Sequence, residues 1–559
     1  MLRYRQISLQ EEPVSHKLPI LLLSSALLLG LSFSASAQTL VEVGAVSQIS
    51  GTLNQIVPSS LKVPTIPAPA VIAPATTDTP GSDAAGTAAL LNLPVSAPTP
   101  AYIAALGTAQ ASLQAGNYKQ AQGEYETLVS QDYQNPQAHF GLGLALFALS
   151  DLQGARFEFS QLAALAPTGF EGPYNLGVVA GRLGQSDEAR KQFEAAAGLA
   201  RGKVTPTVMR QVLEALAGEQ ARKGDYQALL VTLSEMVKAE PKNSELQYRQ
   251  AQALVLAGQG SLALPVLYLV RQQQPGNVDA ALLTADIYAA QKLSDRAIRE
   301  LDLAVVPAPD GSARARLLLR KADLLAAAGR LRDAVFAAQD AVNADSRNAA
   351  AQARLGELRY ARSDRPSALA AWKAAVALEP KNALYLANQA VVELALGQNA
   401  QAARDAQRAG KLSSELTALA RAQFVLGVAS YKGRDYAAAR TALSSSVLKV
   451  PSGETSLWLG LASYALKDYG GAVAALQDSQ RLQPSAATQL NLGSALISAG
   501  RYGDAETTLR PLVVADARNA EAWYQLGLAR RALGREVEAQ ASFKTAAGLG
   551  NVRARSALK

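Results

Sequence analysis

The sequence predicts an all-α chain of stacked helical hairpins, and three observations carry that prediction. A small residue, taken as a marker, recurs at Ala121, Ala155, Ala189, Leu229 (the one larger exception), Ala263, Ala297, Ala334, Ala368, Ala402, Ala439, Ala472, Ala505 and Ala539. The steps between markers are 34, 34, 40, 34, 34, 37, 34, 34, 37, 33, 33 and 34 residues, a period that belongs to repeat architectures. Twelve residues before each of the thirteen markers stands Gly or Ala, from Ala109 and Gly143 to Gly493 and Gly527. Prolines twelve residues after seven markers, from Pro167 to Pro484, stop a helix because proline cannot continue its hydrogen-bond ladder.

The chain has 559 residues, 49% of them apolar and 18% charged, which is a globular composition. Its net charge of +8 is spread over too long a stretch to form a nucleic-acid footprint, so no nucleic-acid partner is expected. It has no cysteine, which excludes disulfides, thiolate metal sites, a cysteine nucleophile and a lipidated cysteine.

At the amino end, Arg3, Arg5 and Lys17 precede a leucine-rich run from Leu18 to Leu31, followed by Ala35, Ser36 and Ala37. This is the three-part pattern of a secretory signal, so residues 1–37 are expected to be a signal peptide cut before Gln38, exporting the chain to a bacterial periplasm or cell envelope. An uncleaved membrane anchor is the rival reading, but the apolar run of about 16 residues is short against the roughly 20 that span a bilayer.

Residues 38–57 include Val46, Ile49, Leu53 and Ile56 at helical spacing, a possible amphipathic docking segment. Membrane contact is expected only through this segment or an uncleaved signal. Residues 58–100 hold nine prolines among Ala, Thr, Ser and Gly, the composition of a disordered linker.

From residue 102 to 550 each unit has a physical reason for its spelling. Small residues at the marker and twelve before it let two helices approach closely, with Leu142, Leu176, Leu355, Leu426, Leu459, Leu492 and Leu526 beside that contact. Tyr125, Phe159, Phe193, Trp372 and Phe543, four after their markers, are expected to wedge against the next unit. Extra residues after the third, sixth and ninth units (198–208, 307–313 and 410–414) divide the array into sub-arrays of about 102–200, 210–310, 315–412 and 420–550. These joints are expected to be bends or hinges. Residues 551–559 read as a basic tail with Arg553, Arg555 and Lys559.

With AEAWYQLG at 520–527 and AGRYGDA at 499–505, the chain closely resembles the tetratricopeptide repeat family over roughly residues 102–550. The resemblance implies a right-handed superhelical solenoid of about thirteen helix-turn-helix repeats, with a concave groove lined by the first helix of each pair. The groove positions it implies lie 18, 15, 11, 8 and 7 residues before each marker. Toward the amino end these select Phe140, Leu144, Phe147 and Tyr174, and toward the carboxyl end Phe424, Tyr431, Leu457, Tyr464, Leu490 and Tyr524. In the middle they select Glu214, Glu245, Asp279, Asp286, Asp323 and Glu357 against only Arg222 and Arg316, predicting an acidic central groove with apolar ends. That pattern favours a polypeptide with hydrophobic anchors over a phosphate chain or acidic polysaccharide.

No catalytic constellation appears. His139 is the only histidine after the expected cut, and no triad signature surrounds it. Asp279 and Asp286 share one helix face, as carboxylates on solvated helices commonly do. No cofactor or metal is expected. The predicted role is therefore a non-catalytic exported scaffold for protein partners in the envelope, binding extended peptide or helical segments. An accessory role in polysaccharide export or cell-wall synthesis is the alternative.

Overall fold

The structure, a computed structural model, describes residues 99–558. The expected signal peptide, the 38–57 segment and nearly all of the linker lie outside the described residues. Among the described residues there are 27 helices and no strands. The first six units pair α1 Pro100–Gln114 with α2 Tyr118–Gln131, α3 Pro136–Ala148 with α4 Leu152–Leu165, α5 Glu171–Arg182 with α6 Ser186–Ala200, α7 Pro206–Lys223 with α8 Tyr226–Ala239, α9 Ser244–Leu256 with α10 Gly260–Gln273, and α11 Val278–Ala290 with α12 Ser294–Val305. The next seven pair α13 Gly311–Ala327 with α14 Leu331–Ala344, α15 Ala349–Ala361 with α16 Arg365–Leu378, α17 Ala383–Ala395 with α18 Asn399–Leu412, α19 Leu416–Lys432 with α20 Tyr436–Lys449, α21 Gly453–Ala465 with α22 Tyr469–Leu482, α23 Ala486–Ser498 with α24 Tyr502–Ala515, and α25 Ala520–Ala532 with α26 Glu536–Gly548. The basic tail contains a final short helix, α27 Val552–Ala557, packed on α26.

Local chemistry sets each boundary. Asn135, Asn243, Asn277, Asn348, Asn382 and Asn519, each twenty residues before its marker, cap first helices by accepting from early backbone N–H groups. Asp151, Asp225, Asp364, Asp435 and Asp468, each four before its marker, do the same for second helices. The residue five before every marker turns the chain in the left-handed region. Glycine fills that place at eight positions, such as Gly116 and Gly534, while Ser150, Lys292, Ser363, Arg434 and Lys467 hold it with a side chain.

Each helix packs on the next along the chain, and the substantial contacts that skip one helix all join first helices to first helices. The first helices therefore crowd along the inner side of the array and the second helices lie outside.

One expectation about the core changes in part. Phe159, Phe193, Trp372 and Phe543 seat on the small residue twelve before the same marker, inside their own hairpins, whereas Tyr125 wedges against Gly141 of the following unit as expected. Trp372 also meets Tyr385 of the following unit, ring centroids 5.9 Å apart. A Cβ built on Gly143 would lie 2.6 Å from the Phe159 ring, one on Gly356 2.8 Å from Trp372 and one on Gly527 2.6 Å from Phe543. Glycine is thus required by the ring it faces. Where the column holds Ala322 or Ala390, the facing residues shrink to Ala338 and Ala406, fully buried in turn, so the pair trades volume rather than leaving a void.

At the joints the added residues are found in helix. They mostly lengthen the first helix of the following unit: α7 has 18 residues and α13 and α19 have 17, against the 13 of α9 or α15. That is about one extra helical turn. Each joint is braced. Arg201 forks onto Glu235 at 2.9 and 2.8 Å across the first, the backbone of Gly311 lies close against the Ala344 carbonyl at the second, and α17 packs directly on α19 at the third.

Candidate functional site on the concave face

The inner face is built by first helices, so residues eleven to eighteen before each marker either face solvent or are trapped between neighbouring first helices. Most of the expected apolar anchors are trapped. Phe424 is fully buried, and Tyr431, Leu457 and Leu490 are buried in the same packing. At the other end Leu144 is buried and Tyr174 lies edge-on to Phe193, centroids 5.6 Å apart. These six are core residues. Neighbouring helices pack so close that positions expected to line a groove become buried contacts.

Four anchors remain partly accessible. Phe140 lies beside Phe159, Phe147 carries the Arg182 guanidinium 5.7 Å from its ring centre, Tyr464 bonds the Ser498 hydroxyl at 3.0 Å and Tyr524 stacks under Arg553 at 4.9 Å.

The middle of the array is not acidic but zwitterionic. Arg249, Arg320 and Arg354 lie fourteen residues before their markers, three residues from the eleven-before position and therefore on the same helix face. Arg320 meets Asp286 of the preceding unit at 2.6 Å. Arg354 meets Asp323 of the preceding unit at 2.7 Å and Glu357 of its own at 2.9 Å. Arg249 lies 3.8 Å from Glu214, which also pairs with Arg210 at 3.3 Å. Asp279 pairs with Arg316 at 2.6 Å. Of the six expected acids, only exposed Glu245 has no ion pair among the described residues. Sequence reasoning missed these arginines because it sampled five offsets and fourteen was not one of them. For Arg320 and Arg354 the signal was present in the order Asp at eleven, then Arg at fourteen in the next unit, while the Glu214 partner of Arg249 lies fifteen before its marker.

Burial raises the pKa of Asp286, Asp323 and Glu357 above the ordinary carboxylate range, and the facing arginines pull it partly back. Burial likewise lowers that of Arg249. The ladder continues where Arg421, buried on α19, donates to Asn388 on α17.

His139 is a structural tie. Its Nδ1 lies 2.6 Å from the Glu158 carboxylate and its Nε2 2.8 Å from the Tyr133 carbonyl, so both nitrogens are engaged. Burial opposes its charge, but these two acceptors outweigh it and its pKa rises. Asp279 and Asp286 answer to different arginines and do not act together. Among the described residues no group of three or more His, Asp or Glu side chains is placed to hold a metal, and no helix is long and apolar enough to cross a membrane.

A tetratricopeptide repeat profile matches residues 106–170, 248–313, 424–487 and 490–554, and a second profile of the same description matches residues 174–203. No curated protein sequence matches the chain. Among solved structures, the chain is similar to the Cut9–Hcn1 hetero-tetramer of APC/C (16% identity, 76% of this chain and 95% of that one, TM-score 0.38). It is also similar to Naa15/Naa10 bound to HypK-THB (14% identity, 80% of this chain and 75% of that one, TM-score 0.40). A third is YrrB, described as a TPR protein with an unusual peptide-binding site (19% identity, 34% of this chain and 95% of that one, TM-score 0.28). With profile matches over more than half its length, laid on the helical hairpins described above, the chain belongs to the tetratricopeptide repeat family.

Proposed function

We propose that the chain is a non-catalytic scaffold of the bacterial periplasm or cell envelope, exported by residues 1–37, which gathers protein partners along the concave face of its fourth to eighth units. The observation that carries this reading is the inner ladder of alternating carboxylate and guanidinium groups. It is solvent-facing at Arg210, Glu245, Asp279 and Arg316, whereas the inner face of the tenth to twelfth units is largely closed by its own side chains.

A surface with both charge signs at fixed spacing complements a polypeptide segment that also carries both. A uniformly anionic chain would meet carboxylates at each step. Single exchanges of the exposed groups, Glu245→Lys and Asp279→Lys, are expected to weaken crosslinking of a bound peptide in envelope extracts, with binding falling as salt rises. Crosslinks that persist unchanged in both variants would place the partner elsewhere. Recovery of glycan synthases or export pores would favour the accessory role in polysaccharide or cell-wall assembly. Mass spectrometry of the secreted chain tests export directly: the expected amino terminus is Gln38, and recovery of the chain only in the cytoplasm would overturn it.

A further inference from the structure

The helix α10 differs from a charged outer helix such as α12. It exposes Leu262, Pro265, Tyr268 and Leu269 along one outward stripe, with Leu262 60%, Tyr268 63% and Leu269 46% accessible. Its only charged side chain, Arg271, turns sideways to Glu300 at 2.5 Å. The neighbouring outer helices extend the apolar character through Val231 on α8 and through Leu303 on α12 with Val306 just past its end. By contrast α12 also presents Asp295, Arg296, Arg299 and Asp302 to solvent. Exposed apolar surface concentrated on one element marks a place where something docks.

We propose that the occupant is the chain's own segment 40–57, laid against α10 on the convex side of the fourth to sixth units. The segment carries one charge, Glu42, and repeats large aliphatic residues at Val46, Ile49, Leu53 and Ile56, so neither surface strands a charge in the contact. Its spacing supplies anchors on one face of a helix, matching an outward stripe that is itself helical.

Reach permits the contact. Residues 58–98 join the segment to Thr99, and a chain of that length extends at most roughly 130 Å. Nine helix-to-helix steps from α1 to α10, each about 8–10 Å, bound the path to be covered at roughly 90 Å. Tethering raises the local concentration of the segment, so a modest apolar contact holds without help from a second molecule.

The absence of cysteine makes single-thiol labelling a direct test. Tyr268→Cys in the full chain is expected to react with a maleimide at least about tenfold more slowly than in the same chain lacking residues 40–57, the factor set by a docking equilibrium of about ten to one. Leu53→Asp in the full chain restores the fast rate, and Leu448→Cys, on the exposed side of α20, reacts equally in both backgrounds. Equal rates at position 268 with and without the segment would overturn the proposal. Protection that disappears on dilution would also overturn it, because the occupant would then be a second copy.

Discussion

The inner faces of the fifth to eighth units and of the tenth to twelfth units are made from the same helix positions, yet one is a ladder of ion pairs and the other a sealed core. Around α21 those positions hold Leu457, Trp458 and Leu461, all buried. Around α15 they hold Arg354 and Glu357, only partly buried. The difference shows that in a tightly stacked array an apolar inner residue is drawn into the contact between first helices, while a charged one enters it only with a partner, as Asp286 does with Arg320, or stays nearer the edge, as Glu245 and Asp279 do. Large apolar residues at these positions therefore favour closure, and charges keep part of the inner face accessible.

The sharpest way to break this comparison is to truncate a closed position. Phe424→Ala is expected to cost about 3–5 kcal/mol in urea unfolding, as for a large aromatic removed from a core. The half-buried Tyr524→Ala should cost far less, and equal costs would mean that Phe424 is a groove residue after all. Next in size is the ladder. Arg354→Leu leaves Asp323 and Glu357 without their shared cation and should destabilise by about 2–3 kcal/mol, less than for a fully buried pair because water still reaches the group. Adding Asp323→Asn and Glu357→Gln should recover most of that loss, and failure to recover it would show that Arg354 acts by packing alone.

Between the two regions, in the ninth unit, Glu393 is fully buried, and burial together with the Asp405 carboxylate raises its pKa to about 7, against the opposing effects of Gln389 and Lys373. The folded state then holds this proton more tightly than the unfolded chain. The resulting stability is present at mildly acidic pH and is lost as pH rises from the ordinary carboxylate range through about 7. Glu393→Gln is expected to gain about 1–3 kcal/mol at pH 8 and little at pH 5, and a gain that does not vary with pH would contradict the assignment. The smallest expected effect lies at the turns. Lys467→Gly in the closed region and Ser363→Gly in the ladder region should each stabilise by up to about 1 kcal/mol by relieving a left-handed backbone, and equal gains would show that the turn is indifferent to what the inner face carries.

Much of this fold was legible in the sequence because its determinants are local. The period, the small column and the terminating prolines each act within one hairpin. The pairing of Gly356 with Trp372 or of Gly527 with Phe543 was visible as two regular columns, but which hairpin each ring served depends on how helices meet in space. The candidate site was less legible for the same reason. Whether Leu457 or Tyr174 faces solvent is decided by how closely the next first helix approaches, and the sequence of one unit does not contain that distance. The lengthened helices α7, α13 and α19 show the same limit, because extra residues at a joint can enter a loop or extend a helix. Thr205 and Asp310, whose side chains cap α7 and α13 about one turn early, favour the helix.

Thiol labelling of single-cysteine variants across the inner face, in a chain with no cysteine of its own, tests the contrast most directly. Glu245→Cys and Asp279→Cys should react at nearly the rate of a free thiol, whereas Leu457→Cys and Leu490→Cys should react only as fast as the array opens. Comparable rates at all four positions would contradict a closed carboxyl-terminal inner face and restore one continuous groove.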